Sequence, residues 1–134
     1  MFGSLDISTS GLVAQRTRMN VISANLANSD SIYDAQGNYS PYRRQMAVFA
    51  PGDPSRGSEQ GVHVREIALD EAPLRRVHDP GHPEADADGY IFKPNVDPTM
   101  EMVNALEASR AYEANITTAE ATKSMMQRSL SLLA

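Results

Sequence analysis

The stretch Asp97–Ala134, DPTMEMVNALEASRAYEANITTAEATKSMMQRSLSLLA, decides the architecture. Asp97-Pro98 is a helix start: an N-cap side chain, then a proline whose missing N–H costs nothing at the first helical position. After Pro98 no Gly or Pro interrupts. A helix over 97–133 would be roughly 55 Å long, too long to wrap one small core. Its apolar residues recur as heptads. Met102, Ser109, Ile116, Lys123 and Leu130 form one seam position, and Ala105, Tyr112, Ala119, Met126 and Leu133 the other. Such a repeat is the mark of a coiled-coil seam, with the polar members setting register. A second stripe, Met100, Val103, Ala111, Ala114, Ala121, Met125 and Leu132, lies well round the helix. Two apolar faces require two sets of partners.

The N-terminal segment repeats this design. A helix is expected over 4–28, with Leu5, Leu12, Met19 and Leu26 at intervals of seven and Ile22 beside them. Ile7, Gly11, Ala14 and Val21 make a second stripe of mostly smaller residues. The two terminal helices can pair through one face, and each still carries apolar surface that the chain cannot cover. Long exposed apolar stripes mark protein contacts.

Between the helices lies a zone rich in turn formers. All eight prolines fall between Pro41 and Pro98, and six of the eight glycines between Gly37 and Gly89. Tyr42–Ala50, Gly61–Leu69 and Tyr90–Phe92 read as strands, with a hairpin tip in the Pro51–Gly61 connector. The expected fold class is α+β: paired long terminal helices, coiled-coil-like, around a small β-rich middle segment. The units are 1–30, 31–96 and 97–134.

Composition narrows the chemistry. The chain has 134 residues, 41% apolar but only 6% aromatic, and no tryptophan. Its Ala, Leu, Val and Met suit helix seams. A net charge of −5 gives no attraction for nucleic acid. The doublets Arg43-Arg44 and Arg75-Arg76 read as solvated surface features. Without cysteine there are no disulfides, zinc thiolates or thiol nucleophiles. The first twenty residues lack the basic and unbroken apolar regions of a cleaved signal peptide. No run reaches the roughly 20 apolar residues of a membrane span. Glycine patterns for phosphates and GxSxG are missing, and no carboxylate pair stands out for acid–base work.

One segment invites a metal. In HDPGHPEADADGYIFKPN, His78–Asn95, counting Glu84 as the first position of a calcium loop puts Asp86, Asp88, Gly89 and Ile91 correctly. The twelfth position, a bidentate Glu in such loops, is Asn95, and the prolines upstream forbid the flanking helix. His78 and His82 stand four apart, but among Pro80, Gly81 and Pro83 they are not on a helix. The competing reading is mechanical: Asp79-Pro80-Gly81 and Asp88-Gly89 are turns, and the acids brace the lead-in to Asp97-Pro98. A calcium-binding regulator using Glu84, Asp86 and Asp88 is the alternative function.

Three stretches carry a resemblance. ANLANSDS (Ala24–Ser31), DPGHPEADADGYIFKPNVD (Asp79–Asp97) and EMVNALEASRAYEANI (Glu101–Ile116) resemble the flagellar basal-body rod proteins. The resemblance covers essentially the whole chain. SIYDAQGNYSPYRR (Ser31–Arg44) is longer and more polar than the family's usual link, which leaves the path of the 29–44 loop open. The resemblance implies a structural, non-catalytic subunit without catalytic residues, cofactor or metal. It implies export without a cleaved signal and helical assembly in the periplasm. The partners implied are copies of the chain, other flagellar rod proteins, the MS ring and the export apparatus, with torque carried to the hook. The expected assembly interface is Leu5, Leu12, Met19, Ile22, Asn25, Leu26, Asn28, Arg110, Tyr112, Asn115, Ile116, Met126 and Leu130. The first five apolar residues should meet Tyr112, Ile116, Met126 and Leu130. Asn25, Asn28, Arg110 and Asn115 are polar contacts between subunits or, equally, caps and surface pairs. Both terminal helices are therefore expected to be largely disordered in the free subunit, ordering on assembly, which would keep an exported subunit from polymerising early.

Overall fold

A computed structural model describes residues 2–134, with the side chain of Phe2 outside the description. Its elements run α1 (Phe2–Ala27), β1 (Gln45–Asp53), β2 (Ser58–Leu69), β3 (Arg75–His78), β4 (Tyr90–Lys93) and α2 (Pro98–Leu133). The fold is α+β: two long terminal helices flank a small antiparallel β segment.

α2 starts where the sequence says. The Asp97 carboxylate accepts the amides of Thr99 (3.0 Å) and Met100 (3.4 Å). This satisfies donors that an uncapped first turn would leave open. α1 is closed by Asn28, whose side-chain amide donates to the Ala24 carbonyl at 2.9 Å while Ser31 donates back to its Oδ1 at 3.1 Å.

β1 and β2 form an antiparallel hairpin, from Gln45 opposite Leu69 to Asp53 opposite Ser58. The strands run further toward the tip than expected, leaving Pro54–Gly57 as the turn. A bulge beside Val48/Phe49 sets one extra residue on β2 and strengthens the local twist. Gly61 approaches α1 so closely that a Cβ would stand 2.7 Å from Ser10 Oγ, and its φ is +92°. In return Ser10 Oγ accepts the Val62 amide at 3.1 Å. β3 and β4 make a second small hairpin, with β3 unforeseen from the sequence. Its Arg76 lies over the Tyr90 ring at 3.8 Å, a cation–π contact.

α1 is the central layer, with the β1–β2 hairpin on one side and α2 on the other. Among the described residues α2 packs against no other element. The buried apolar set is thin: Ala14, Val21, Ile22, Ile32, Ile91, Val96 and Ala108. Two of these are alanines, so apolar burial alone holds the layers weakly and polar bonds must supply specificity.

The 29–44 loop takes a definite path. Asp34 Oδ1 accepts the amides of Gln36 (3.0 Å) and Asn38 (2.8 Å), and Tyr33 bridges Tyr39. The Tyr39 hydroxyl then donates to the Phe92 carbonyl (3.1 Å) and accepts the Phe92 amide (2.7 Å). Tyr39 thus acts as one more ladder partner for β4.

Candidate assembly surface

The helices pair antiparallel. Asn25 meets Glu101, Arg18 meets Glu107 at 3.3 Å, and Gly11 meets Asn115. The α1 side of this contact carries Ser8, Gly11, Ala14, Val21, Ile22 and Asn25, all buried. A Cβ on Gly11 would stand 2.9 Å from the Asn115 side-chain amide, so the missing side chain makes room for Asn115 to lie against α1. Leu5, Leu12, Met19 and Leu26 are half-buried on the flank of the contact, about a quarter turn round the helix.

On α2 the seam corrects the heptad reading by one residue. The inward line is Glu101, Ala108, Asn115, Thr122 and Ser129, not Met102, Ser109, Ile116, Lys123 and Leu130. Met102 and Lys123 are exposed, and Leu130 is 68% exposed. Small side chains at Ala108, Thr122 and Ser129 let α1 come near, where methionine or lysine would prop it away, and Glu101 is accommodated by its bonds to Asn25 and Arg44. Of the other seam position Ala105, Tyr112, Ala119 and Met126 are half-buried, as is Ile116, whereas Leu133 is exposed. At this register the described part of α1 runs out opposite the turn around Ser124, so α2 overhangs by about two turns. The second stripe lies open. Met100, Val103, Ala114, Ala121, Met125 and Leu132 are all exposed, with only Ala111 half-covered.

At the other end a buried polar junction ties every layer together. Asn25 is 0% exposed and uses all four of its hydrogen-bonding positions. Its Nδ2 donates to the Gln45 carbonyl (2.9 Å) and Glu101 Oε2 (3.2 Å). Its Oδ1 accepts the Gln45 amide (3.0 Å) and the Tyr42 hydroxyl (2.9 Å). Glu101, 1% exposed, takes Arg44 Nε on its other oxygen. Arg44 reaches on to Asp70 at 3.2 Å, and its amide donates to Asn95 Oδ1 at 2.7 Å. Arg44 is therefore a buried-network residue and not the solvated half of a doublet. Its burial opposes the charge, but the bonded Glu101 and Asp70 hold the guanidinium pKa above its ordinary value. The Ala72 amide and Arg44 hold the Asp70 carboxyl below its usual value. Burial, with Glu101 nearby, raises the Tyr42 phenol.

The polar candidates sort accordingly. Asn25 is buried and saturated inside its own subunit. Asn28 caps α1. Asn115 donates to the Ala111 carbonyl at 2.9 Å and lies under Gly11. Arg110 is exposed on α2. Tyr42, Arg44, Asp70 and Glu101 were not foreseen. The available signal was a glutamate on the line of small seam residues, a position that requires a buried partner.

The acidic loop is a brace. Asp86 Oδ1 accepts the amides of Asp88 and Tyr90, both at 2.9 Å, and Gly89 (φ +82°) returns an amide to the Asp86 carbonyl. His82 Nδ1 accepts the Glu84 amide at 3.0 Å. Among the described residues no three His, Asp or Glu side chains gather as metal ligands, so the calcium alternative finds no support.

Comparison with known proteins agrees with the two-helix plan. The family model "Flagella basal body rod protein" matches residues 5–31. The model "Flagellar basal body rod FlgEFG protein C-terminal" matches 87–132. The chain is 41% identical to the flagellar basal-body rod protein FlgC of Bacillus subtilis (strain 168), covering 98% of this chain and 97% of that one. It is 46% identical to FlgC of Yersinia enterocolitica and 45% identical to FlgC of Salmonella typhimurium (strain LT2), each over 95% of this chain and 93% of the relative.

Proposed function

The chain belongs to the flagellar basal-body rod protein family, in its FlgC group, as a structural subunit of the basal body, and from that premise we propose how it assembles. Copies join one another and other rod proteins into a helical, torque-bearing rod through the faces of α1 and α2 that the single chain leaves open. One observation carries this reading: the Met100-to-Leu132 stripe lies exposed along a helix that packs against α1 alone. An interface that repeats head to tail without closing builds a filament. The flank residues Leu5, Leu12, Met19 and Leu26, with Tyr112, Ile116, Met126 and Leu130, complete the contact surface. The subunit performs no catalysis, travels through the flagellar export apparatus without a cleaved signal, and reaches the MS ring in the periplasm. No helix of the described residues is long and apolar enough to cross a membrane.

Replacing Leu12 by Asp puts a carboxylate on the half-buried flank. The expected outcome is a folded subunit missing from isolated basal bodies and a non-motile cell. Normal swimming with the variant in the rod would overturn the assignment.

A further inference from the structure

Two features of the molecule are unused by its own fold. The first is the α2 overhang. Past the point where the described part of α1 ends, Met126 and Leu133 continue the α1-facing side of α2 with Leu130 and Leu132 flanking it, and Leu130, Leu132 and Leu133 are 68%, 86% and 85% exposed. The segment 121–134 carries Lys123 and Arg128 and no acid. The second is a groove of about 380 Å³ between α1 and the β1–β2 hairpin. Val13, Ala14, Val62 and Val64 line its floor and wall, and Val13 stands 62% exposed at its edge. At its mouth, among the described residues, Asp6 and Asp53 share one cation, Arg56, at 2.7 and 3.6 Å, leaving one net negative charge.

We propose that the leucine-bearing end of α2 from one copy of this chain seats in the α1–hairpin groove of the next copy. The overhang extends an interface the helix pair has already built. Its cations complement the net charge at the groove mouth, and its leucines meet the exposed Val13 and the half-buried Val62 and Val64. Groove and overhang are different surfaces: the groove lies on the hairpin side of α1 and the overhang on the α2 side. The contact is therefore heterologous and propagates rather than closes. This rests on the rod reading and names the contact within it.

The chain has no cysteine, so introduced thiols are unique. Val13→Cys and Leu132→Cys subunits are co-expressed, and isolated basal bodies are oxidised. Seated as proposed, the two thiols lie near disulfide distance. The expected result is a mixed dimer severalfold more abundant than in a Ser23→Cys/Leu132→Cys control, whose first thiol sits on an exposed part of α1 outside the groove. Arg128→Glu should lose the mixed dimer, and adding Asp6→Arg should restore it. Basal bodies that contain both subunits but give no mixed dimer above control overturn the contact and leave the rod reading standing. So does a Leu132→Cys adduct with a different rod protein. Absence of the chain from basal bodies overturns both.

Discussion

Glu101 and Arg44 show how little of a buried junction is written locally. The partners of Glu101 lie 57 and 76 positions away in sequence, and nothing periodic links them. The asymmetry of their burial makes a specific prediction. Removing Arg44 leaves a carboxylate at 1% exposure facing only an amide. Removing Glu101 leaves a guanidinium that is 22% exposed and still paired with Asp70. Stranding a buried charge costs about 3–5 kcal/mol, whereas losing a satisfied partner near water costs about 1–3 kcal/mol. Arg44→Ala should therefore destabilise the chain more than Glu101→Ala, as read from urea midpoints at constant slope. The reverse order would mean the junction is held mainly through Asp70. A sequence reader sees only an arginine doublet and one of several glutamates on a helix, which is why Arg44 is read as solvated and Glu101 is not singled out.

At the scale of elements the sequence was far more informative, because helix starts, stops and turn residues act within a few positions. Asp97-Pro98, the Asn28 cap and the Asp86–Gly89 turn all lie where local chemistry puts them. What failed was the choice of seam line. Hydrophobicity selected Met102 and Leu130, whereas the contact selected the line one step back, where Ala108, Thr122 and Ser129 are small and Glu101 and Asn115 make polar contacts. The two glycines that face α1–α2 and α1–hairpin contacts separate the same two effects. At Gly11 an added methyl meets the end of the Asn115 side chain, which can swing aside, and alanine favours a helix interior by about 1 kcal/mol. At Gly61 it meets Ser10 at 2.7 Å with φ at +92°, where an L residue is strained. Gly11→Ala should leave the thermal midpoint nearly unchanged or raise it. Gly61→Ala should lower it and loosen the hairpin from α1, visible as lost protection of the Val62 amide.

For the whole molecule the balance between layers matters most. The polar junction joins α1, α2 and the hairpin at one end, while the opposite end of the helix pair is held by small residues and ends in exposed leucines. Amide exchange in the free subunit should therefore be graded, slowest around Asn25, Gln45 and Glu101 and fastest over the last turns of α2. Assembly should slow that far end selectively. Uniform protection along α2 in the free subunit would contradict the thin core. The expectation of terminal helices largely disordered in the free subunit is narrowed to the far end: both helices are formed and paired, but only one end is anchored.

That single anchorage has a mechanical meaning. α2 is a cantilever: clamped at its root by Asn25, Glu101 and Arg44, lying on a smooth bed of Ser, Gly and Ala, and free at its tip. A smooth bed resists separation but offers few interlocking side chains against sliding along the axis. Load arriving at the tip is thus carried back to the clamp as shear. Copies of one sequence can then settle into slightly different positions around a rod, each adjusting the slip of its tip and none disturbing its root.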